Sequence, residues 1–204
     1  MKTYTTLFLF FLSTLLCKAQ TNNVLSTTDS KVNDKINQLN KGKIDTIICY
    51  YVDCVGSEHA MPPDSCLAFD IKYLLWSKNG KYYIQRFDEC KEYSSAVTGS
   101  FSFKLLENHY SEIQKSKLKY PKYKMRVNGK LDVYYTYIDH SCHNIIEIHT
   151  NDKILRKDID DYALETKYDD EKHLNRNFDS NQKSILNKLK IVIERDVDVY
   201  NQNH

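Results

Sequence analysis

Two Asn-Gly pairs, Asn79-Gly80 and Asn128-Gly129, each stand between runs of alternating apolar and polar residues. A chain built this way is committed to antiparallel strands. Both central residues of a two-residue hairpin turn need positive φ, which Asn and Gly tolerate and most residues do not. The first pair predicts a hairpin of Leu67–Trp76 with Tyr82–Glu89, and the second one of Lys122–Val127 with Leu131–Ile138. His143–His149 reads as a continuation of the second meander after a tight polar turn. Residues 44–54 add a further strand, rich in β-branched and aromatic types.

Helical periodicity appears in three places. Val32, Ile36 and Leu39 recur at helical spacing, with Asp29 or Ser30 as cap and Gly42 at the expected left-handed end. Phe103, Leu106, Tyr110 and Ile113 share one face over 102–116. Ile185, Leu186, Leu189, Val192 and Ile193 form a last stripe, for which Asp179 and Gln182 suggest a capping box. The expected fold is α+β: a largely antiparallel sheet of six or seven strands with amphipathic helices packed on one face.

The N-terminus reads as an export signal. Met1-Lys2 gives the positive start, Leu7–Leu16 an apolar core too short to span a bilayer, and Cys17 to Gln20 a small-residue cleavage site ending near Ala19 or Gln20. Lipid attachment at Cys17 is a minor alternative. Residues 21–28 follow as a polar leader and 29–204 as one domain, placed outside the cytosol in a secreted or periplasmic setting. Lys and Arg number 29 against 27 Asp and Glu, and losing Lys2 and Lys18 with the signal balances the two, so global charge selects no partner.

Oxidising surroundings make the cysteines disulfide candidates. Cys49, Cys54, Cys66 and Cys90 cluster around the first strands and are expected to form two bridges, Cys54–Cys66 first and Cys49–Cys90 second, which leaves Cys142 over. The five glycines are widely scattered. Phosphate-cradling loops and nucleophile elbows, which need glycines close together, are therefore absent from the sequence.

Four constellations remain. Lys115, Lys117, Lys119, Lys122, Lys124, Arg126 and Lys130 are interleaved with Tyr120 and Tyr123 and contain no acid. They suit an anionic ligand, or else guard a strand edge against pairing with other chains. An acidic run from Asp158 to Glu171 offers a complement, or a surface for a cationic partner. His140, Cys142, His143 and His149, with Asp139 and Glu147 nearby, offer the alternative of a zinc site or small hydrolase, although strand alternation points Cys142 away from His143 and His149. Finally, Glu58, His59 and Asp64 share a loop held by Pro62-Pro63.

Tyr50-Tyr51, Tyr82-Tyr83 and Tyr134-Tyr135 should each send one ring inward and one outward. Together these features predict an exported, monomeric, non-enzymatic protein that acts by binding, through an exposed sheet face or its charged segments. A protein or envelope component is the expected partner, with no nucleic acid, no transmembrane helix and no cofactor.

Overall fold

The computed structural model describes residues 26–54, 70–150 and 153–203. The expected signal and cleavage region with Cys17, the loop bearing Glu58, His59 and Asp64, and Cys66 lie outside them. In chain order the elements are α1 (Thr27–Lys41), β1 (Thr46–Cys54), β2 (Lys72–Lys78), β3 (Lys81–Phe87), β4 (Ala96–Thr98), α2 (Phe101–Lys115), β5 (Lys122–Val127) and β6 (Lys130–Tyr135). They continue with β7 (Cys142–Thr150), β8 (Lys153–Asp160), α3 (Asp161–Glu165), α4 (Phe178–Gln182) and α5 (Ile185–Gln202). Six strands form an antiparallel sheet in the order β4-β3-β2-β1-β7-β8, and β5 with β6 forms a separate two-stranded sheet. The class is α+β.

Both Asn-Gly turns form. Asn79 and Asn128 have φ of 53° and 49°, and Gly80 and Gly129 have 72° and 78°, so all four residues occupy the region that this turn requires. The second hairpin nevertheless stands apart from the main sheet, and β7 does not continue it. Instead β7 lies between β1 and β8, with Ile48 opposite Ile148 and Tyr50 opposite Ile146.

Helices lie against both faces of the sheet, which corrects the expectation of one. Ile48, Tyr50, Tyr73, Leu75, Ile146 and Ile148 point to a cluster that contains Phe103, Leu106 and Ile113 of α2 and Leu186, Leu189 and Ile193 of α5. Their neighbours of opposite parity, Ile47, Cys49, Leu74 and Trp76, meet Val32, Ile36 and Leu39 of α1. Burial on both sides explains why β1 and β2 read as continuous apolar runs, since a strand with one solvated face alternates. Tyrosine pairs follow the same geometry. Tyr82 packs on Phe103 while Tyr83 stacks on Trp76, with ring centroids 5.1 and 5.6 Å apart.

Three helix ends differ from expectation. α1 begins earlier, where the Ser26 hydroxyl accepts the Asp29 amide at 3.0 Å. At its other end Lys43, not Gly42, takes the left-handed conformation, at φ 55°, and lets the Ile44 amide reach the Leu39 carbonyl at 3.2 Å. Asp179 lies inside the separate helix α4, and α5 is capped by Ser184, whose hydroxyl accepts the Asn187 amide.

The disulfide assignment also changes. Cys54 bonds Cys142, its directly opposite residue on β7, with Cα atoms 4.0 Å apart. Cys142 is therefore not the leftover cysteine, and the bridges Cys54–Cys66 and Cys49–Cys90 do not form. Cys90 is disulfide-bonded, whereas Cys49 keeps a free, buried thiol. The expectation failed because it placed β7 beside β6. Once β7 pairs with β1, the register brings Cys54 and Cys142 together.

Candidate functional site

The histidine cluster disperses along β7 and its preceding turn. Cys142 sits in the disulfide and His140 is exposed beside Asp139. His143 and His149 share a face of β7 but lie six residues apart, about 20 Å at strand rise. Each has its own carboxylate: His143 Nδ1 donates to Asp158 Oδ1 at 2.7 Å, and His149 Nε2 stands 3.6 Å from Glu147 Oε2. Among the described residues no three His, Cys, Asp or Glu side chains converge as a metal site would require.

Ser141, His143 and Asp158 do line up, with Ser141 Oγ 3.1 Å from His143 Nε2. The polarity is wrong for a nucleophile. Ser141 donates its proton to Asp160 Oδ1 at 2.7 Å, so its oxygen accepts from the imidazole, which then donates from both nitrogens. A serine nucleophile needs the reverse, a neutral base that takes the hydroxyl proton. The bond to Asp158, reinforced by the charges of Asp158, Asp160 and Asp53, raises the His143 pKa against the effect of burial. This cluster ties β7 to β8.

The raised pKa has a consequence with a definite sign. Its contribution is fully present below the unfolded value of about 6.5 and is lost as pH rises through the native value. The His143 ring should therefore titrate above about 6.5 by proton NMR, and Asp158→Asn should bring the midpoint down. A wild-type midpoint at or below the unfolded value would refute the ionic description.

Cys49 is no candidate nucleophile either. Burial pushes its thiol up to about 12, and Glu147 adds to the effect, so thiolate is scarce at neutral pH. Of the four described cysteines, only Cys49 should take a thiol reagent, and only after denaturation. Labelling of native protein at Cys49, read by peptide mapping, would contradict its burial.

A cleft of about 470 Å³ opens between α1 and β3. Its cations are already engaged. Lys31 Nζ donates to the Asp88 carbonyl at 2.8 Å, Lys35 lies over the Trp76 ring, and Arg86 and Lys91 flank Tyr93.

The β5–β6 hairpin is different. Its inner face is fixed to the body. Tyr123 is fully buried and stacks on Tyr134 at 5.3 Å, and the Tyr134 hydroxyl donates to Asp169. That bond pushes the tyrosine up to about 12. Burial raises the Asp169 carboxyl, but Tyr134 and His173 outweigh it and hold it at about 2. At the base of the hairpin the Lys122 carbonyl accepts the Arg176 amide at 2.8 Å, and Asn175 Oδ1 accepts the Lys122 amide at 3.1 Å.

The outer face follows from the register. Lys122 opposes Tyr135, Lys124 opposes Val133 and Arg126 opposes Leu131, and directly opposed residues share a face. The ladder runs one step further, since the Thr136 amide reaches the Pro121 carbonyl and the Tyr120 and Tyr137 rings touch at 4.5 Å. One column thus carries Lys122, Lys124 and Arg126, and the other carries exposed Leu131, Val133 and Tyr135. The hairpin's own carboxylate, Asp132, opposes Met125 and belongs to the inner face.

The sequence-identified basic residues thus divide. Lys124 and Arg126 are exposed on this face beside half-buried Lys122, with Lys130 at the turn, and Tyr120 extends the face. Lys115 ends α2, while Lys117 and Lys119 lie on the exposed linker behind it. Tyr123 points inward. Among the described residues no ion pair joins the basic run to the acidic one, which is spread over β8, α3 and the loop beneath the hairpin. Leu131, Val133, Tyr135 and Tyr137 were missed as site residues, although the Asn128-Gly129 turn fixes the pairing that sets the first three opposite the cations. Comparison with protein-family models, curated proteins and solved structures finds no match.

Proposed function

We propose that this is an exported binding protein whose β5–β6 hairpin presents its outer face to an anionic partner. One observation carries the reading: Lys122, Lys124 and Arg126 share that face with exposed apolar side chains and with no carboxylate of the hairpin itself. Lys122 lies over the Tyr135 ring, and the exposed charges of Lys124 and Arg126 raise encounter rate and select negative partners. Export is supported by the N-terminal composition and by the Cys54–Cys142 bridge, since disulfides persist outside the reducing cytosol. No helix among the described residues is long and apolar enough to cross a membrane.

The test is charge reversal. Lys124→Glu/Arg126→Glu should weaken binding to an immobilised sulfated polysaccharide or anionic vesicle by about tenfold or more, each tenfold corresponding to about 1.4 kcal/mol. Wild-type binding should fall steeply with salt. Both side chains are exposed, so circular dichroism and thermal midpoint should stay unchanged. Equal binding by wild type and variant on every anionic surface would sink the proposal.

A further inference from the structure

We infer that the anionic partner of the hairpin is the surface of a phospholipid bilayer, an inference that rests on the binding reading above. The apolar column selects it. Leu131 and Tyr137 are more than three-fifths exposed, at 62% and 63%, and Val133 and Tyr135 stand exposed between them. A soluble polyanion can pair with Lys124 and Arg126, but it leaves these side chains in water. A bilayer interface takes both kinds of group at once. Aliphatic side chains enter the boundary between headgroups and acyl chains, tyrosines settle at headgroup level with the hydroxyl wet, and lysine or arginine stems lie along the surface with their charges on phosphates.

The shape points the same way. Six residues of strand extend about 20 Å, and two strands with their side chains are about 10 Å wide. Such a ribbon is small beside the roughly 800 Å² per partner of a standard protein interface. A lipid surface sets no such minimum. The face lies on a separate two-stranded element anchored through its other side at Tyr123 and Tyr134, so it can lie on a membrane without disturbing the six-stranded sheet. Two exposed cations, Lys124 and Arg126, with half-buried Lys122 beside them on the same face, give attraction that requires anionic lipid.

Co-sedimentation of the exported protein with vesicles tests this. The probes are phosphatidylcholine vesicles with and without phosphatidylglycerol, with dextran sulfate and poly-glutamate as soluble polyanions. Wild type is expected to bind only vesicles containing phosphatidylglycerol. Leu131→Ser/Val133→Ser, which spares the Tyr135 ring under Lys122, should reduce that binding by about tenfold or more while leaving any dextran sulfate binding unchanged. Because both variants and wild type share the same N-terminus, its contribution cancels. If the apolar variant binds vesicles as wild type does, or if dextran sulfate or poly-glutamate is bound and vesicles are not, the lipid inference falls and the anionic-partner reading stands. Failure to bind any of them overturns both.

Discussion

Replacing Asp88 with alanine is expected to cost about 3–5 kcal/mol, the range for removing one partner of a buried ionic network. Asp88 follows β3, and its side chain is completely inaccessible. It collects five donors. Arg86 contributes Nε at 3.0 Å and Nη2 at 2.8 Å, the amides of Cys90 and Lys91 contribute 2.9 and 3.1 Å, and the Tyr93 hydroxyl contributes 2.8 Å. Burial raises the Asp88 carboxyl, but these donors outweigh it and hold the pKa below the usual range. Alanine removes the buried acceptor that a mostly buried guanidinium, two amides and a tyrosine hydroxyl share, which is why the cost exceeds that of a lost surface pair. Urea unfolding at pH 7 measures it. The depressed pKa also sets a pH signature: the advantage over Asp88→Ala holds above the unfolded value of about 3.9 and disappears as pH falls through the lower native value. A difference below about 1 kcal/mol at pH 7, the scale of an exposed pair, would mean that the loop after β3 holds without this carboxylate.

Cys54→Ala/Cys142→Ala should rank with it, at roughly 3–4.5 kcal/mol. The bridge spans a sequence separation of 88 residues, and the chain-entropy account assigns a loop of that length about 4.6 kcal/mol before any native-state penalty. Both positions lie at the end of the β1–β7 ladder, so alanine fits the strands and leaves no unpaired polar group. The double substitution is more informative than reduction, because a reductant also reaches the disulfide at Cys90. Denaturant melts of the two chains give the answer. A loss well under about 1 kcal/mol would indicate a denatured state already confined without the bridge.

What was legible in the sequence, and what was not, divides by the range of the interactions. The hairpin turns depend on two adjacent residues needing positive φ, and both form as read. The helical stripes of Val32, Ile36 and Leu39 and of Leu186, Leu189 and Ile193 are likewise buried. The placement of β7 depends on a partner some ninety positions away, and nothing near His143 announces it. That single pairing decides the disulfide, the isolation of the second hairpin and the fate of the histidines. β8 gives no strand signal that the sequence reading picks up, because Asp158 and Asp160 at its end belong to an acidic run, although Ile159 between them is wholly buried. The two-faced burial was legible in principle, since Leu74, Leu75 and Trp76 in succession argue for cover on both sides. At the site, the basic column was visible as a local run. Its apolar partners required projecting one strand onto the other through the turn.

The strand order also constrains how the protein is made. β1 lies inside the sheet, yet one of its two neighbours, β7, begins at Cys142. Until that segment has been synthesised, β1 has an open edge beside Ile47, Ile48 and Tyr50, the bare apolar backbone that invites pairing with other chains. A ribosome-bound or truncated chain ending before β7 therefore contains the first hairpin but no completed core, and its open β1 edge is the surface at which aggregation would start.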